Sequence, residues 1–286
     1  MICVTGAGGT VGSELVKQLK SAHAPFRAAY FSVKKAEAAR ARGIDAVVID
    51  YNGPETLRPA FQGCDKLFLL GPNVPDQTHL ELNAVEAGQR VGVRHIVKLS
   101  VMGAEEEAYA LALVHRSVEK AIEASGMAWT FLRPNSFMQN VLTYMSHIIK
   151  AEATFYSASG EARISHVDVR DIVAVAVEAL TRPDHAGKAY TLTGPDALTY
   201  DELANELSRA VGRLIRHISL PPADFKNGML AEGMPVEIAD RMLDLERYYR
   251  EGQARHITHD IKQVTGRDPR RFGQYALEVG PSLHSA

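Results

Sequence analysis

Short apolar runs alternate along the first half of the chain with segments in which apolar residues recur every three or four positions. The short runs predict strands at Met1–Val4, Phe26–Phe31, Ala46–Ile49, Lys66–Leu70, His95–Ser100 and Ala128–Leu132. The periodic segments predict helices at Ser13–Lys20, Val33–Arg42, Leu57–Phe61, Asp76–Val91 and Ala110–Ala124. Regular alternation of strand and helix predicts a parallel sheet with helices on both faces.

The pattern loosens after Asn135. A capping box at Thr199 opens one amphipathic helix, and Pro235 precedes another. Residues 220–234, rich in Pro, Gly and Met, are expected to form a mobile connection. Further helices and strands are predicted at Met138–Lys150, Ala153–Tyr156, Ile164–His166, Val169–Thr181 and Tyr190–Thr193.

A glycine-rich segment, VTGAGGTVG at 4–12, joins the first strand to the first helix. Gly6 permits a sharp turn, Gly9 leaves room for a pyrophosphate, and Gly12 lets the helix pack closely on the sheet. The unpaired N–H groups that begin the helix then face the anion. The segment predicts a nucleotide-binding turn, with a purely structural turn as the alternative; its expected contacts are Gly6, Ala7, Gly9, Thr10, Val11 and Gly12.

These observations together predict an α/β protein of the Rossmann type, a doubly wound parallel sheet with a smaller, mostly helical C-terminal substrate domain. We expect the dinucleotide-binding domain at residues 1–150, with 161–190 returning to the sheet. The substrate domain is expected at 191–286.

Composition narrows the class of protein. The 286 residues are 46% hydrophobic and 23% charged, with a net charge of −2, so neither nucleic acid nor an anionic membrane is an expected partner. No apolar run has the length of a membrane span and the first strand starts at Met1, so the cytoplasm is the expected compartment. Cys3 and Cys64 are expected to be small buried residues. The oligomeric state is not predicted.

Five segments together resemble one family across nearly the whole chain. They are VTGAGGTVG at 4–12, HIVKLSVMGA at 95–104, SGMAWTFLRPNSFMQN at 125–140, HVDVRDIVAVAVEAL at 166–180 and VTGRDPRRFGQYA at 264–276. In this order and spacing they resemble the NmrA-like branch of the atypical short-chain dehydrogenase/reductases. That resemblance implies a bound nicotinamide dinucleotide. It implies either a reductase that passes hydride from NADPH to quinones, azo dyes or triphenylmethane dyes, or a regulator that binds the dinucleotide without reducing anything.

The end of the second strand bears on the choice of cofactor. An NAD site usually places an acidic residue there, whereas this chain has Ser32, Lys34 and Lys35, whose hydroxyl and ammonium groups suit a 2′-phosphate. NADP is therefore expected over NAD, although Phe31 stands where many members of the family carry an arginine. Asp50 is similar to the family's adenine contact. The remaining expected cofactor contacts follow the later strands: Leu70, Gly71, Pro72, Asn73, Ser100, Pro134 and Asn135.

The usual Tyr-x-x-x-Lys pair of short-chain dehydrogenases is missing. If His115 stands in the place of the lysine, Leu111 occupies the place of the tyrosine, and Tyr109 lies two residues earlier. His115 and Tyr109 are the candidate catalytic residues, and His115 is also a candidate contact to the ribose or carboxamide, or a structural histidine. Electron-poor aromatic acceptors delocalise the incoming electrons, so they need such a proton donor less than simple ketones do.

The expected acceptor pocket lies beyond the carboxyl ends of the strands, between sheet and cap. Its candidate walls, each of which is alternatively ordinary core, are Met102, Phe137, Met138, Phe155, Tyr156, Phe225 and Met229. No metal is expected, because no Cys or Glu partner is arranged around His256 and His259. A flavin is not expected either, because the sequence contains no motif that indicates flavin binding. Arg267, Arg270 and Arg271 are expected to form a solvated turn.

Three functions remain open. The first is an NADPH-dependent reductase of azo, quinone or triarylmethane acceptors, with a small aromatic substrate as its partner. The second is a redox-sensing regulator that binds NADP without turnover. The third, an isomerase, epimerase or isoflavone-type reductase, ranks lowest because it lacks a clear proton-handling Tyr or Lys.

Overall fold

The computed structural model describes residues 1–284. Seven parallel strands form the large sheet, in the order β3-β2-β1-β4-β5-β6-β8. Their bounds are β1 Ile2–Val4, β2 Phe26–Tyr30, β3 Ala46–Val48, β4 Lys66–Leu69, β5 His95–Leu99, β6 Ala128–Pro134 and β8 Lys188–Leu192. The strand order reverses between β1 and β4, which is where α/β sheets of this type bind ligands. The predicted doubly wound parallel sheet is confirmed.

Helices cover both faces of this sheet. One face carries α1 (Thr10–Ser21), α2 (Val33–Arg40), α7 (Val169–Thr181) and α11 (Asp260–Thr265). The other carries α3 (Pro54–Phe61), α4 (Gln77–Arg90) and α5 (Ala110–Ala124). Cys3 and Cys64 are buried within this second layer, as the sequence predicts.

The remaining elements form a cap with its own apolar core. They are β7 Thr154–Ser157, β9 Arg216–Ser219, α6 Ser146–Glu152, α8 Tyr200–Val211, α9 Pro222–Ala231, α10 Val236–Arg250 and α12 Phe272–Val279, with a π-helical turn at Val141–Met145. Strands β7 and β9 pair in parallel, apart from the large sheet. Because β7 precedes β8 in the chain, the backbone enters the cap and then returns to the sheet. The division at residues 150 and 191 stays a prediction.

One prediction about this region is wrong. Residues 164–166 form no strand, because Ile164 exchanges both backbone hydrogen bonds with Leu198 at 2.9 and 3.0 Å and the next residue, Ser165, donates to the carbonyl of Ala254 instead. The segment 220–234, predicted to be a mobile connection, contains helix α9, which starts at Pro222 in a first-turn position; its mobility stays a prediction. The predicted helix from Met138 begins with the π-helical turn.

No helix within residues 1–284 is both long enough and apolar enough to cross a membrane.

We expect acid to destabilise the fold, because burial lowers the pKa of two histidines. Burial lowers the pKa of His95 and of His166 to about 4, below the value of about 6.5 for an exposed imidazole. Between those values the unfolded chain binds more protons, so stability is complete above about pH 6.5 and falls toward about pH 4. Each histidine contributes up to about 1.4 kcal/mol per pH unit in that window.

Urea unfolding at about pH 7.5 and about pH 5 measures this loss. His166→Asn is the matched variant, because its amide keeps an N–H near the Ile164 carbonyl, which the His166 ring contacts at 3.1 Å, yet does not titrate. Its acid-induced loss should be smaller than that of the wild type by one histidine's share. Equal losses in both proteins would contradict the assignment.

Candidate cofactor and acceptor site

The glycine turn between β1 and α1 leaves no room for side chains at two positions. Gly6 has a φ of +64°, a left-handed conformation that favours glycine. A Cβ on Gly12 would lie 2.1 Å from the Gly6 carbonyl oxygen. Gly12 therefore lets helix α1 start directly against the backbone of the turn, a closer contact than the helix-to-sheet packing expected from sequence.

The open end of α1 faces outward from this turn. Gly9 caps the helix without any side-chain hydrogen bond, and Gly9 and Thr10 are exposed. The first N–H groups of the helix are thus left for an anion. Thr5 fixes the turn to the neighbouring strand, since its hydroxyl donates to the Phe68 carbonyl at 3.0 Å and accepts from the Leu70 N–H at 2.9 Å.

The carboxyl end of β2 presents hydroxyl and ammonium groups beside the turn. Ser32 caps α2, where its hydroxyl accepts from the Lys35 N–H at 3.3 Å. The Lys35 ammonium reaches back over the glycine turn and donates to the Gly8 carbonyl at 2.8 Å. Lys34 is exposed, and the Phe31 ring is 77% exposed at the strand end. The structure therefore brings Lys35, rather than both lysines, to the glycine turn.

The ends of β3 and β4 are joined by hydrogen bonds. Asp50 is exposed and its carboxylate accepts from the Asn52 N–H at 2.9 Å. The buried Tyr51 hydroxyl donates to the Leu70 carbonyl at 2.7 Å. Gly71 donates its N–H to the Glu81 carboxylate at 2.9 Å, while Pro72 and Asn73 are exposed. The segment 70–73 is thus anchored at its start and open beyond it.

Polar residues follow the carboxyl ends of strands β5 and β6. The Ser100 hydroxyl is buried and makes no hydrogen bond within the described residues, which fits a site completed by a ligand. Asn135, one residue beyond Pro134 and β6, uses its amide for the fold: it donates to the Ser165 hydroxyl at 2.9 Å and to the Ala254 carbonyl at 2.8 Å.

His115 lies buried on α5 beside a lysine that the sequence analysis did not single out. The Lys98 ammonium contacts the His115 Nδ1 at 3.2 Å and the Glu81 carboxylate at 2.5 Å. Burial, then the positive charges of Lys98 and Arg241, hold the pKa of His115 well below its usual value. The imidazole is therefore neutral at ordinary pH.

A match to a known family extends over nearly the whole chain. Residues 1–275 match the NmrA-like family. The chain belongs to the NmrA-like family. The predicted resemblance is confirmed.

This NmrA-like chain is similar over nearly its whole length to individual reductases. It is 38% identical over 277 residues to the NAD(P)H azoreductase of Xenophilus azovorans, covering 96% of both chains. It is 34% identical over 285 residues to the (4-alkanoyl-5-oxo-2,5-dihydrofuran-3-yl)methyl phosphate reductase of Streptomyces griseus, covering 97% of both. The structure of the Escherichia coli quinone oxidoreductase QOR2 with NADPH superposes with a TM-score of 0.88 at 27% identity, over 98% of this chain and 99% of that one.

Tyr109 of this NmrA-like chain has its hydroxyl committed to the backbone. The hydroxyl donates to the Met102 carbonyl at 3.0 Å, and the ring packs on Tyr248 with centroids 4.7 Å apart. Burial raises the pKa of Tyr109 well above its usual value. These contacts favour a structural role for this tyrosine.

The predicted pocket walls fall into three groups. Met138 and Phe155 are buried in the core of the cap, where Phe155 lies 5.8 Å from the Tyr200 ring. Tyr156 is turned outward and donates to Glu152 at 3.2 Å. The residues that remain at the carboxyl edge of the sheet or on the half-exposed helix α9 are Met102, Phe137, Phe225 and Met229.

The structure adds one contact that the sequence did not indicate. Arg241 on α10 donates to the Val74 carbonyl at 3.0 Å and to the Pro75 carbonyl at 2.7 Å. Helix α10 is thereby tied to the loop that follows β4. No sequence signal marks Arg241, because the two segments are far apart along the chain.

We expect Arg241→Met to weaken dinucleotide binding by about tenfold, since two hydrogen bonds from a charged donor hold the loop. Calorimetric titration with NADP measures the effect. Arg209→Met, which removes an exposed ion pair with Glu206 on helix α8 of the cap, is the control and should bind normally. Equal affinities for Arg241→Met and wild type would show that the contact does not shape the site.

Proposed function

We propose that the protein is an NADPH-dependent reductase that passes hydride to an electron-poor conjugated acceptor such as an azo compound, a quinone or a triarylmethane dye. The observation that carries this proposal lies on helix α5: His115 is buried with its pKa held well below its usual value, and if it stands in the place of the usual lysine, Leu111 occupies the place of the tyrosine. An acceptor that delocalises the incoming electrons suits such a site, because no strong proton donor is required at once.

The activities for which the relatives are named support the acceptor class. An azo linkage, a quinone and a 5-oxo-2,5-dihydrofuran ring are different functional groups, but each is a conjugated electrophile. They share a π-system that spreads negative charge away from the atom that receives hydride. The common chemistry supports a conjugated acceptor for this chain. Among such acceptors, we propose aromatic ones as the preferred substrates.

The residues of the turn fit a dinucleotide. The exposed start of α1 at Gly9, which has no side-chain cap, and the Ser100 hydroxyl, which has no partner within the described residues, suit a bound ligand. When bound, NADPH supplies the hydride. We assign the pyrophosphate to the start of α1 and the 2′-phosphate to Ser32 and Lys35, which supports a preference for NADPH over NADH. We assign Asp50 to a contact with the adenine.

The side chains of the protein are proposed to orient the acceptor against the cofactor and to exclude water from the pocket. Met102 and Phe137 are assigned to the floor of the acceptor pocket, and Phe225 and Met229 to its cover. His115 is assigned to a hydrogen bond with the cofactor. The proton that completes reduction is assigned to solvent, because the Tyr109 hydroxyl is already bonded to the backbone.

The test follows the near-ultraviolet absorbance of NADPH with purified protein and, separately, a quinone, an azo dye, a triarylmethane dye and an unactivated ketone. We expect oxidation with one or more of the conjugated acceptors, little with the ketone, and slower oxidation of NADH run in parallel. Binding of NADPH without oxidation by any acceptor would overturn the proposal. Pull-down with and without NADPH would then test the redox-sensing alternative.

A further inference from the structure

A buried network of charged and polar side chains lies behind the candidate site. Lys98 on β5 and Glu81 on α4 form an ion pair at 2.5 Å, and both side chains are 0% exposed. Burying two charges is costly, and such a pair is weak evidence for stability by itself. The position of this pair at the carboxyl edge of the sheet suggests a role in the site.

Glu81 connects the pair to the segment after β4. Its Oε1 accepts from the Gly71 N–H at 2.9 Å and from the Gln77 side chain at 3.4 Å, while its Oε2 accepts from Lys98. A Cβ on Gly71 would lie 2.6 Å from the Glu81 side chain. Glu81 therefore fixes both the loop at Gly71 and the ammonium of Lys98.

All three protons of the Lys98 ammonium are used. They go to Glu81 at 2.5 Å, to the Leu99 carbonyl at 3.0 Å and to the Nδ1 of His115 at 3.2 Å. An ammonium has only donors, so the Nδ1 atom must accept with its lone pair. A neutral imidazole whose Nδ1 accepts carries its proton on Nε2.

The Nε2 proton of His115 is left for a ligand. Among residues 1–284, Lys98 is the only hydrogen-bonding partner of this ring. The charged groups facing the ring are Lys98 from β5 and Arg241 from α10, with Glu81 behind Lys98, and both cations oppose protonation of the ring.

We propose that Lys98, held by Glu81, is a positioning residue that fixes His115 as a neutral Nε2–H donor toward the bound nicotinamide nucleotide. This inference rests on the proposed function, because it takes the ligand beside His115 to be that nucleotide. The position of the ring proton is nevertheless measurable without any turnover, so the two proposals can fail separately.

Long-range proton–nitrogen NMR of histidine-labelled protein tests the proposal, with the His115 signal assigned by its loss in His115→Gln. We expect the Nε2–H form in the wild type, unchanged from about pH 5.5 to about pH 8.5. In Lys98→Met/Glu81→Gln, which leaves no unpaired buried charge, the ring should mix tautomers or titrate. A wild-type ring with its proton on Nδ1, or a ring unaffected by the double substitution, would overturn the proposal.

A nucleotide titration tests the direction of the Nε2–H group. Adding NADP should move the Nε2 resonance, and His115→Leu should weaken NADP binding by about tenfold while His115→Gln, which keeps an N–H donor, restores most of it. Lys66→Met is the control, since Lys66 on β4 donates, among the described residues, only to the carbonyls of Ala179 and Arg182. An Nε2 resonance that does not respond to NADP would exclude the nucleotide as its partner.

Discussion

Gly12→Ala is expected to lose dinucleotide binding and about 3 kcal/mol of stability, because the new methyl group would overlap the backbone at the centre of the site. Its Cβ would lie 2.1 Å from the Gly6 carbonyl oxygen and 2.6 Å from the Gly6 carbonyl carbon. These are backbone atoms that no side-chain rotation can move away. Urea unfolding and calorimetric titration with NADPH measure the two losses.

The variant Gly9→Ala distinguishes an effect on ligand binding from an effect on the stability of the fold. A Cβ at Gly9 would lie 3.5 Å from the Gly6 carbonyl oxygen, an ordinary contact, and φ is −92°. We expect its free energy of unfolding to stay within about 0.5 kcal/mol of the wild type, whereas NADPH binding should weaken because the methyl group stands where the pyrophosphate would approach. Wild-type stability and binding in Gly12→Ala would contradict the role assigned to this turn.

Lys35→Met is expected to reduce affinity for NADPH by about 10- to 100-fold, the value of a hydrogen bond to a charged group. The ammonium of Lys35 lies over the glycine turn, where it donates to the Gly8 carbonyl at 2.8 Å, and the Ser32 hydroxyl lies beside it at the start of the same helix. Loss of the charge should leave a 2′-phosphate poorly paired.

NADH serves as the internal control because it lacks the 2′-phosphate. Its affinity should change little in Lys35→Met, and Lys35→Arg should retain most of the preference for NADPH. Titration of both nucleotides into each variant gives the ratio directly. A parallel loss for NADH and NADPH would place Lys35 in general turn stability rather than in recognition of the phosphate.

The sheet could be predicted because its signals are local. Helices α5 and α7 have the predicted bounds, Ala110–Ala124 and Val169–Thr181, because each carries a regular apolar stripe on one face. The glycine turn is local too, since its conformation depends on neighbouring residues. Thr199 likewise forms the predicted capping box.

The cap could not be predicted in the same way. Helix α9 has no buried residue, so it lacks the apolar stripe that marks a helix. Strand β9 has the mostly polar sequence Arg-His-Ile-Ser and, within residues 1–284, pairs only with the distant strand β7. The chain from Glu81 through Lys98 to His115 was also missed. Those residues lie on three separate elements and meet only when the sheet has formed.

The central claim is direct hydride transfer from NADPH to a conjugated acceptor, and isotope labelling tests it most directly. NADPH carrying deuterium on one or the other face of the nicotinamide is mixed with the protein and a triarylmethane dye, or with another acceptor that supports turnover. The account predicts that one of the two labels slows the loss of NADPH absorbance and, when the acceptor is the triarylmethane dye, appears on the central carbon of the reduced dye; with an azo or quinone acceptor, whose N–D or O–D bond exchanges with water, the slowing alone is measured. Bound NADPH whose absorbance stays constant with every conjugated acceptor would contradict it.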